Sequence, residues 1–207
     1  MIADQKINEF LEDLSSSSPA PGGGAASALV ASIAVSLASM VANLTIGKKK
    51  YVAVELEMKN IATEASTLRD SLTHLMDKDV EEFNTIMAAY KLPKETEQQK
   101  EYRDKKIEEA SIGASNVPLE IARSCLKIMD LSLTVIKMGN NNALSDGICG
   151  FQFAYSALKG ALANVKINLK NMNDPATLQK FNFEVETIEA EAKNKYESNL
   201  ELIEKVK

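Results

Sequence analysis

The chain has 207 residues, of which 29 are acidic and 24 basic, so its formal net charge at pH 7 is −5. This acidic balance disfavours nucleic acid as a partner, because proteins that bind it present clustered positive charge. Two cysteines and one histidine disfavour a disulfide framework and a histidine-based metal site. We expect a cytoplasmic protein without a signal peptide, since residues 1–14 carry acidic residues and no long apolar run.

The first part of the chain predicts two helices separated by a loop. Apolar residues at helical spacing predict a short amphipathic helix over residues 4–14. Serines, prolines and glycines mark residues 15–24 as a loop. The uncharged segment 25–47 predicts a second helix. We expect its apolar stripe to face the core and its polar stripe to lie opposite; the apolar stripe is Val30, Ile33, Leu37, Met40 and Leu44, and the polar stripe is Ser32, Ser36, Ser39 and Asn43.

Segment 25–47 is also long enough to cross a bilayer. Much of it is alanine, interspersed with serine, asparagine and threonine. These residues gain little free energy on transfer to lipid. We therefore favour a buried helix at the centre of a bundle and predict no membrane partner.

The remainder of the chain predicts five more helices and no strand. A long helix over residues 51–90 ends before Leu92-Pro93, and the next begins at a capping box formed by Thr96 and Gln99. Proline at a first helical position predicts another helix start at Val117-Pro118. Two further helices follow the loop at 139–145 and the cap at Asp174-Pro175. The fold class is therefore all-α, a bundle of about seven helices forming a single domain over residues 1–207.

One acidic residue lies on the apolar stripe of the long helix. The stripe is Ala65, Leu68, Leu72, Met76, Phe83, Ile86 and Tyr90. At 100° per residue Asp79 falls on the same face, whereas Asp77 points away and is expected in solvent. A carboxylate facing inward costs several kcal/mol unless it is paired, hydrogen-bonded or protonated. Such groups often mark functional sites, and a buried acid with a purely structural role is an equally weighted alternative.

The two ends of the second predicted helix carry the other binding candidates. Gly22, Gly23 and Gly24 precede it, which leaves first-turn N–H groups available to an anion or a carbonyl. The alternative is a tight backbone turn without a ligand. Lys48, Lys49 and Lys50 follow it and are either a solvated helix end or a docking point for a polyanion.

Later in the chain, three polar residues are further candidates. Asp146 follows Ser145, which is expected to cap the sixth predicted helix. Asn164 and Asn168 are one turn apart on that helix, and we expect them to be buried amides.

Several segments together resemble the cyclodeaminase/cyclohydrolase family of tetrahydrofolate one-carbon enzymes. They are PAPGGGAASALVASIAVSLASMVANLTIGKKKY (19–51), LMDKDVEEFNTIMAAYKLPKET (75–96), ASNVPLEIA (114–122), GNNNALSD (139–146) and NVKINLKNMND (164–174). They span nearly the whole chain and follow the family order. The chain departs from common family patterns at Ala25 and at residues 147–149, which affects substrate details more than the fold.

The resemblance implies an all-helical homodimer that acts on a tetrahydrofolate derivative, which can carry a polyglutamate tail, with no metal and no cofactor beyond that substrate. It also implies a catalytic role for Asp79, the second aspartate of the D-x-D pair on the long helix.

The reaction expected first is cyclodeamination of 5-formiminotetrahydrofolate to 5,10-methenyltetrahydrofolate and ammonia. Asp79 would carry protons, and the Gly22–Gly24 amides with Asn43 would hold the pterin or the one-carbon unit. Lys48 and Lys49 would pair with the glutamate tail, while Asp146 and Asn168 would orient the ring or Asp79. The alternatives are hydrolysis of 5,10-methenyltetrahydrofolate to 10-formyltetrahydrofolate and a non-catalytic folate-binding helical module.

Overall fold

A computed structural model describes residues 1–204, and these residues form helices connected by short loops, with no strand among them. The prediction of an all-α fold is confirmed. The helices are α1 (Ile7–Ser15), α2 (Gly23–Thr45), α3 (Glu55–Tyr90), α4 (Glu97–Met138), α5 (Leu144–Asn168), α6 (Pro175–Ser198) and α7 (Leu200–Ile203), with 3₁₀ turns at Ile2–Asp4, Lys49–Val54, Asn141–Ala143 and Leu169–Asn171.

Helix α2 packs against α3, α4 and α5, but the predicted orientation of its stripes is wrong. Its buried face is built mainly from small residues, among them Ala28, Ala31 and Ala38. Ile33, Met40 and Leu44 are instead 44%, 37% and 43% exposed. Small side chains let neighbouring helices approach closely. The alanine face therefore packs in the core, although it is less apolar. Gly150 of α5 shows this proximity, because a β-carbon there would lie 3.0 Å from the carbonyl oxygen of Ala34.

The length and composition of α2 would also suit a membrane-spanning helix. In the apolar window that meets this test, 56% of the residues are buried inside the bundle. The core helix of a soluble protein passes the same test.

Helix α4 is continuous through Pro118, so the prediction of a separate helix starting there is wrong. Proline lacks an N–H and leaves the carbonyl four residues earlier without its helical partner. That carbonyl belongs to Ala114, and the side-chain Nδ2 of Asn168 donates to it at 2.8 Å. A tertiary hydrogen bond thus replaces the missing helical one.

Asp77 is not the solvated residue that the helical wheel predicts. It is half-buried, and its Oδ1 accepts a hydrogen bond from the backbone N–H of Ile2 at 2.6 Å. This bond fixes the N-terminal 3₁₀ turn against α3. The structure places α1 from Ile7 rather than residue 4, because Gln5 and Lys6 have extended backbones.

Candidate functional site

A cavity of about 240 Å³ lies where the N-terminus of α2 meets α3, α4 and α5. Its walls combine a polar side with an apolar side, and no basic side chain lines it among the described residues. The lining residues are Pro19, Ala20, Gly22, Gly23, Gly24, Asp79, Phe83, Ile86, Ala114, Asn164, Ile167 and Asn168.

Among residues 1–204, Asp79 supplies the only carboxylate of the cavity wall. Its side chain reaches the first turn of α2, where its Oδ2 accepts a hydrogen bond from the backbone N–H of Ala25 at 2.9 Å. Burial raises the pKa of Asp79, and the hydrogen bond from Ala25 partly opposes that shift. The group can therefore accept and return a proton more readily near neutral pH than an exposed aspartate.

The three glycines differ in how much space a β-carbon would have at each position. A β-carbon at Gly24 would overlap the carboxylate of Asp79, whereas one at Gly22 would meet nothing closer than 3.8 Å. Glycine at position 24 is thus required for the close approach of Asp79 to α2. Since α2 begins at Gly23, the N–H groups of Gly23 and Gly24 lack helical acceptors. No backbone carbonyl in residues 1–204 accepts from them, and both residues line the cavity.

Two amides of α5 complete the polar side of the cavity. Asn168 lines it and at the same time donates to Ala114. Asn164 lines it one turn earlier, with its Nδ2 donating to the carbonyl oxygen of Gly160 at 2.9 Å. The sequence marks Asn164 as a candidate without giving it a role in the reaction, although its spacing from Asn168 places both amides on one helix face.

Four predicted site residues lie at the other end of the bundle. Asn43, Lys48 and Lys49 are exposed at or beyond the C-terminus of α2, and that helix alone is about 35 Å long. Asp146 lies in the first turn of α5, whereas Asn168 ends that helix. A single chain therefore brings together Gly22, Gly23, Gly24, Asp79 and Asn168 but not these four. Their roles stay predictions, because one chain does not bring them to this cavity.

The known proteins that are similar to this chain in sequence all point to one family. The formiminotransferase-cyclodeaminase family profile matches residues 6–187. A methenyltetrahydrofolate cyclohydrolase from Methylorubrum extorquens is 42% identical over 93% of this chain and 92% of its own length. The formimidoyltransferase-cyclodeaminase of Rattus norvegicus is 31% identical over 93% of this chain, but the match spans only 36% of that larger protein.

A solved structure with the same fold points to the same family. The crystal structure of a formiminotetrahydrofolate cyclodeaminase from Thermotoga maritima superposes with a TM-score of 0.89, covers 99% of this chain and is 29% identical. The chain therefore belongs to the formiminotransferase-cyclodeaminase family, in which both folate cyclodeaminases and folate cyclohydrolases are found.

Proposed function

We propose that this chain is a methenyltetrahydrofolate cyclohydrolase that uses Asp79 as its proton carrier. The observation that carries the proposal is the position of Asp79, a half-buried carboxylate with a raised pKa in a cavity that no basic side chain of residues 1–204 lines. The one-carbon unit of 5,10-methenyltetrahydrofolate is a cationic amidinium, and a single carboxylate complements that charge. The 42% identity to a relative of the same length, named as a cyclohydrolase, gives further support.

The reaction needs a nucleophilic water and two proton movements. Asp79 takes a proton from water as the water oxygen bonds to the methenyl carbon, and a π-electron pair of the amidinium moves to N5. The carboxylic acid then gives its proton to N5 while the bond from that carbon to N5 breaks. The hydroxyl proton leaves through the regenerated carboxylate, and 10-formyltetrahydrofolate remains. Proton transfer by a positioned side chain typically contributes about 10²- to 10⁴-fold to the rate.

The glycine turn supports this chemistry by supplying hydrogen-bond donors. The free N–H groups of Gly23 and Gly24 lie at the positive end of the α2 dipole. They can donate to the pterin carbonyl or to the oxygen that becomes the formyl carbonyl as the hydrated intermediate collapses. Ala25 meanwhile keeps the Asp79 carboxylate oriented.

The size of the cavity indicates which end of the substrate enters. Pockets that enclose a drug-sized ligand occupy about 300–1,000 Å³, and this one measures about 240 Å³. It suits the pterin and the one-carbon unit, with Phe83, Ile86 and Ile167 as an apolar wall for the ring. The aminobenzoyl-glutamate part would extend outside.

The second candidate is the cyclodeaminase reaction, which the sequence alone places first. The fold similarity to a cyclodeaminase over nearly the full chain favours it. In that reaction N10 attacks the formimino carbon, Asp79 takes the proton from N10, and the departing amine receives a proton and leaves as ammonia. The two reactions share the same carbon, the same ring nitrogens and one proton carrier.

We further propose that the chain acts as a homodimer. The exposed residues Ile33, Met40 and Leu44 form an apolar stripe along α2, and a groove beside it is lined by Leu37, Arg69 and Thr73. A two-fold axis near the middle of α2 would pair this stripe with that of a second copy, with the helices antiparallel. The lysine end of one copy would then approach the glycine end of the other, where the glutamate tail emerges.

Turnover of both folates by the purified chain tests the proposal. We expect the absorbance of 5,10-methenyltetrahydrofolate to fall much faster than in buffer, with 10-formyltetrahydrofolate as product. Ammonia release from 5-formiminotetrahydrofolate, without enhanced methenyl hydrolysis, would select the cyclodeaminase instead. Binding of both folates without turnover of either would favour the non-catalytic folate-binding module over both enzymes.

A further inference from the structure

Asn164 presents an oxygen atom for which the fold provides no partner. Its Nδ2 donates to the carbonyl oxygen of Gly160 at 2.9 Å. A carbonyl oxygen only accepts, so the NH₂ group must face Gly160, and this fixes the orientation of the amide. No group within residues 1–204 donates to the Oδ1 atom that remains. The half-buried side chain lines the cavity with this acceptor unused.

Asn164 differs from Asn168 in that its hydrogen bond does not join two helices. Asn168 joins α5 to α4 and satisfies the Ala114 carbonyl that Pro118 leaves free. Asn164 bonds only within its own helix, to a carbonyl that the helical backbone already uses. Such local back-bonding adds little to helix stability.

The glycine turn makes room for Asn164. A β-carbon on Gly23 would lie 2.9 Å from Nδ2 and 3.3 Å from Oδ1 of Asn164. Gly23 does not need glycine for its backbone angles, because within residues 1–204 a positive φ occurs only at Gly47. Adjacent glycines therefore admit two polar side chains from two other helices, Asp79 at Gly24 and Asn164 at Gly23.

We infer that Asn164 Oδ1 holds the small reactant of the reaction beside Asp79, an inference that rests on the proposed function. In the cyclohydrolase reaction this reactant is the attacking water, which needs two acceptors. Asp79 receives the O–H proton that is transferred, and Asn164 accepts a hydrogen bond from the other O–H and aims the oxygen lone pair at the methenyl carbon. In the cyclodeaminase reaction, the same oxygen accepts from the departing ammonia.

The test compares Asn164→Leu, which removes the acceptor at nearly constant volume, with the wild type and with Gly23→Ala. We expect Asn164→Leu to lower kcat for methenyl hydrolysis about 10- to 100-fold, the effect of one hydrogen bond made in the transition state. KM for the folate and the melting temperature should stay close to those of the wild type. Gly23→Ala should lower kcat because its methyl group displaces the amide, and the double variant should be no slower than Asn164→Leu alone.

Three outcomes would overturn the inference. A kcat of Asn164→Leu within about threefold of the wild-type value would remove Asn164 from the reaction, since a lost hydrogen bond costs more. A raised KM at unchanged kcat would assign it to ring binding, and additive losses in the double variant would show that Gly23 and Asn164 act separately. In each case an active wild type would leave the proposed function intact, whereas a wild type inactive on both folates would overturn both.

Discussion

The side-chain amide of Asn168 donates to the backbone carbonyl of Ala114 at 2.8 Å and so joins the end of α5 to the middle of α4. Pro118, four residues after Ala114 and inside α4, cannot supply the usual helical N–H to that carbonyl. One side chain from a neighbouring helix thus allows α4 to run uninterrupted along the cavity. Asn168 accordingly has a structural role in addition to any contact with substrate.

This relationship predicts a coupling between positions 118 and 168. Asn168→Ala should destabilise the wild type by about 1–3 kcal/mol, because it leaves a buried carbonyl without a partner. In a Pro118→Ala background the restored N–H can bond to Ala114, so the same substitution should cost about 1 kcal/mol less. Urea unfolding of the four proteins measures the coupling. Asn164→Ala is the matched control, and its cost should be equal in both backgrounds; equal costs for Asn168→Ala would refute the relationship.

The glycine turn predicts a graded series of single alanine substitutions. Gly24→Ala should reduce kcat/KM about 100-fold or more, because its methyl group occupies the position of the Asp79 carboxylate. Gly22→Ala should stay within a few-fold of wild type, since a β-carbon there has room. Steady-state kinetics of both variants at one pH provide the check. Similar losses at positions 22 and 24 would mean that the overlap with the Asp79 carboxylate is not the cause of the loss.

The raised pKa of Asp79 predicts a pH-dependent stability difference for Asp79→Asn. Burial of the carboxyl lifts its pKa in the folded state above 3.8, the value of the exposed group, so the folded protein binds the proton more tightly than the unfolded chain. The wild type therefore loses stability as pH rises from about 4 through the raised pKa, and the neutral amide does not. Near pH 7 the variant should melt at or above the wild-type temperature, as often occurs when a functional group is removed.

Melting curves recorded from pH 4 to pH 8 test this prediction. The difference between variant and wild type should grow with pH and then level off. A variant that is less stable than the wild type at pH 7, with the gap widening as pH rises, would show that the charged carboxylate stabilises the fold.

The exposed stripe of α2 predicts that a single charge will dissociate the proposed dimer. Wild-type protein should have a mass near twice the 22.6 kDa of one chain in light scattering after gel filtration. Met40→Glu should shift it towards one chain, because the substitution places a charge in the apolar interface. Phe183→Glu is the control, since Phe183 is 72% exposed on α6, away from the stripe. A monomeric wild type, or a dimer untouched by Met40→Glu, would refute this interface.

The sequence predicted the inward position of Asp79 because one residue in the 3.6-residue pattern of α3 was charged where the others were apolar. It predicted the glycine turn from an equally local signal, the serines, prolines and glycines directly before an uncharged helical segment. Its error on α2 arose from ranking side chains by hydrophobicity alone. The core there is determined by how closely α3 and α5 approach, and alanine permits a shorter distance than leucine or methionine.

Non-local partners account for what the sequence did not predict. Nothing near Pro118 in sequence indicates that Asn168 will replace its missing hydrogen bond, so the helix was predicted to break. The helical wheel places Asp77 in solvent because its partner, the backbone of Ile2, lies 75 residues away. The sequence associates Lys48 and Lys49 with the glycines because one helix joins them, although that helix holds them apart in a single chain.

Hydrolysis of 5,10-methenyltetrahydrofolate by wild type and Asp79→Asn, followed by absorbance at pH 7, tests the central role of Asp79 most directly. We predict that the variant keeps its helical circular dichroism and loses about 10²- to 10⁴-fold in kcat, the usual contribution of a proton-transferring side chain. A kcat within a few-fold of the wild-type value would contradict the account, because the reaction would then proceed without the carboxyl group that we assign to it.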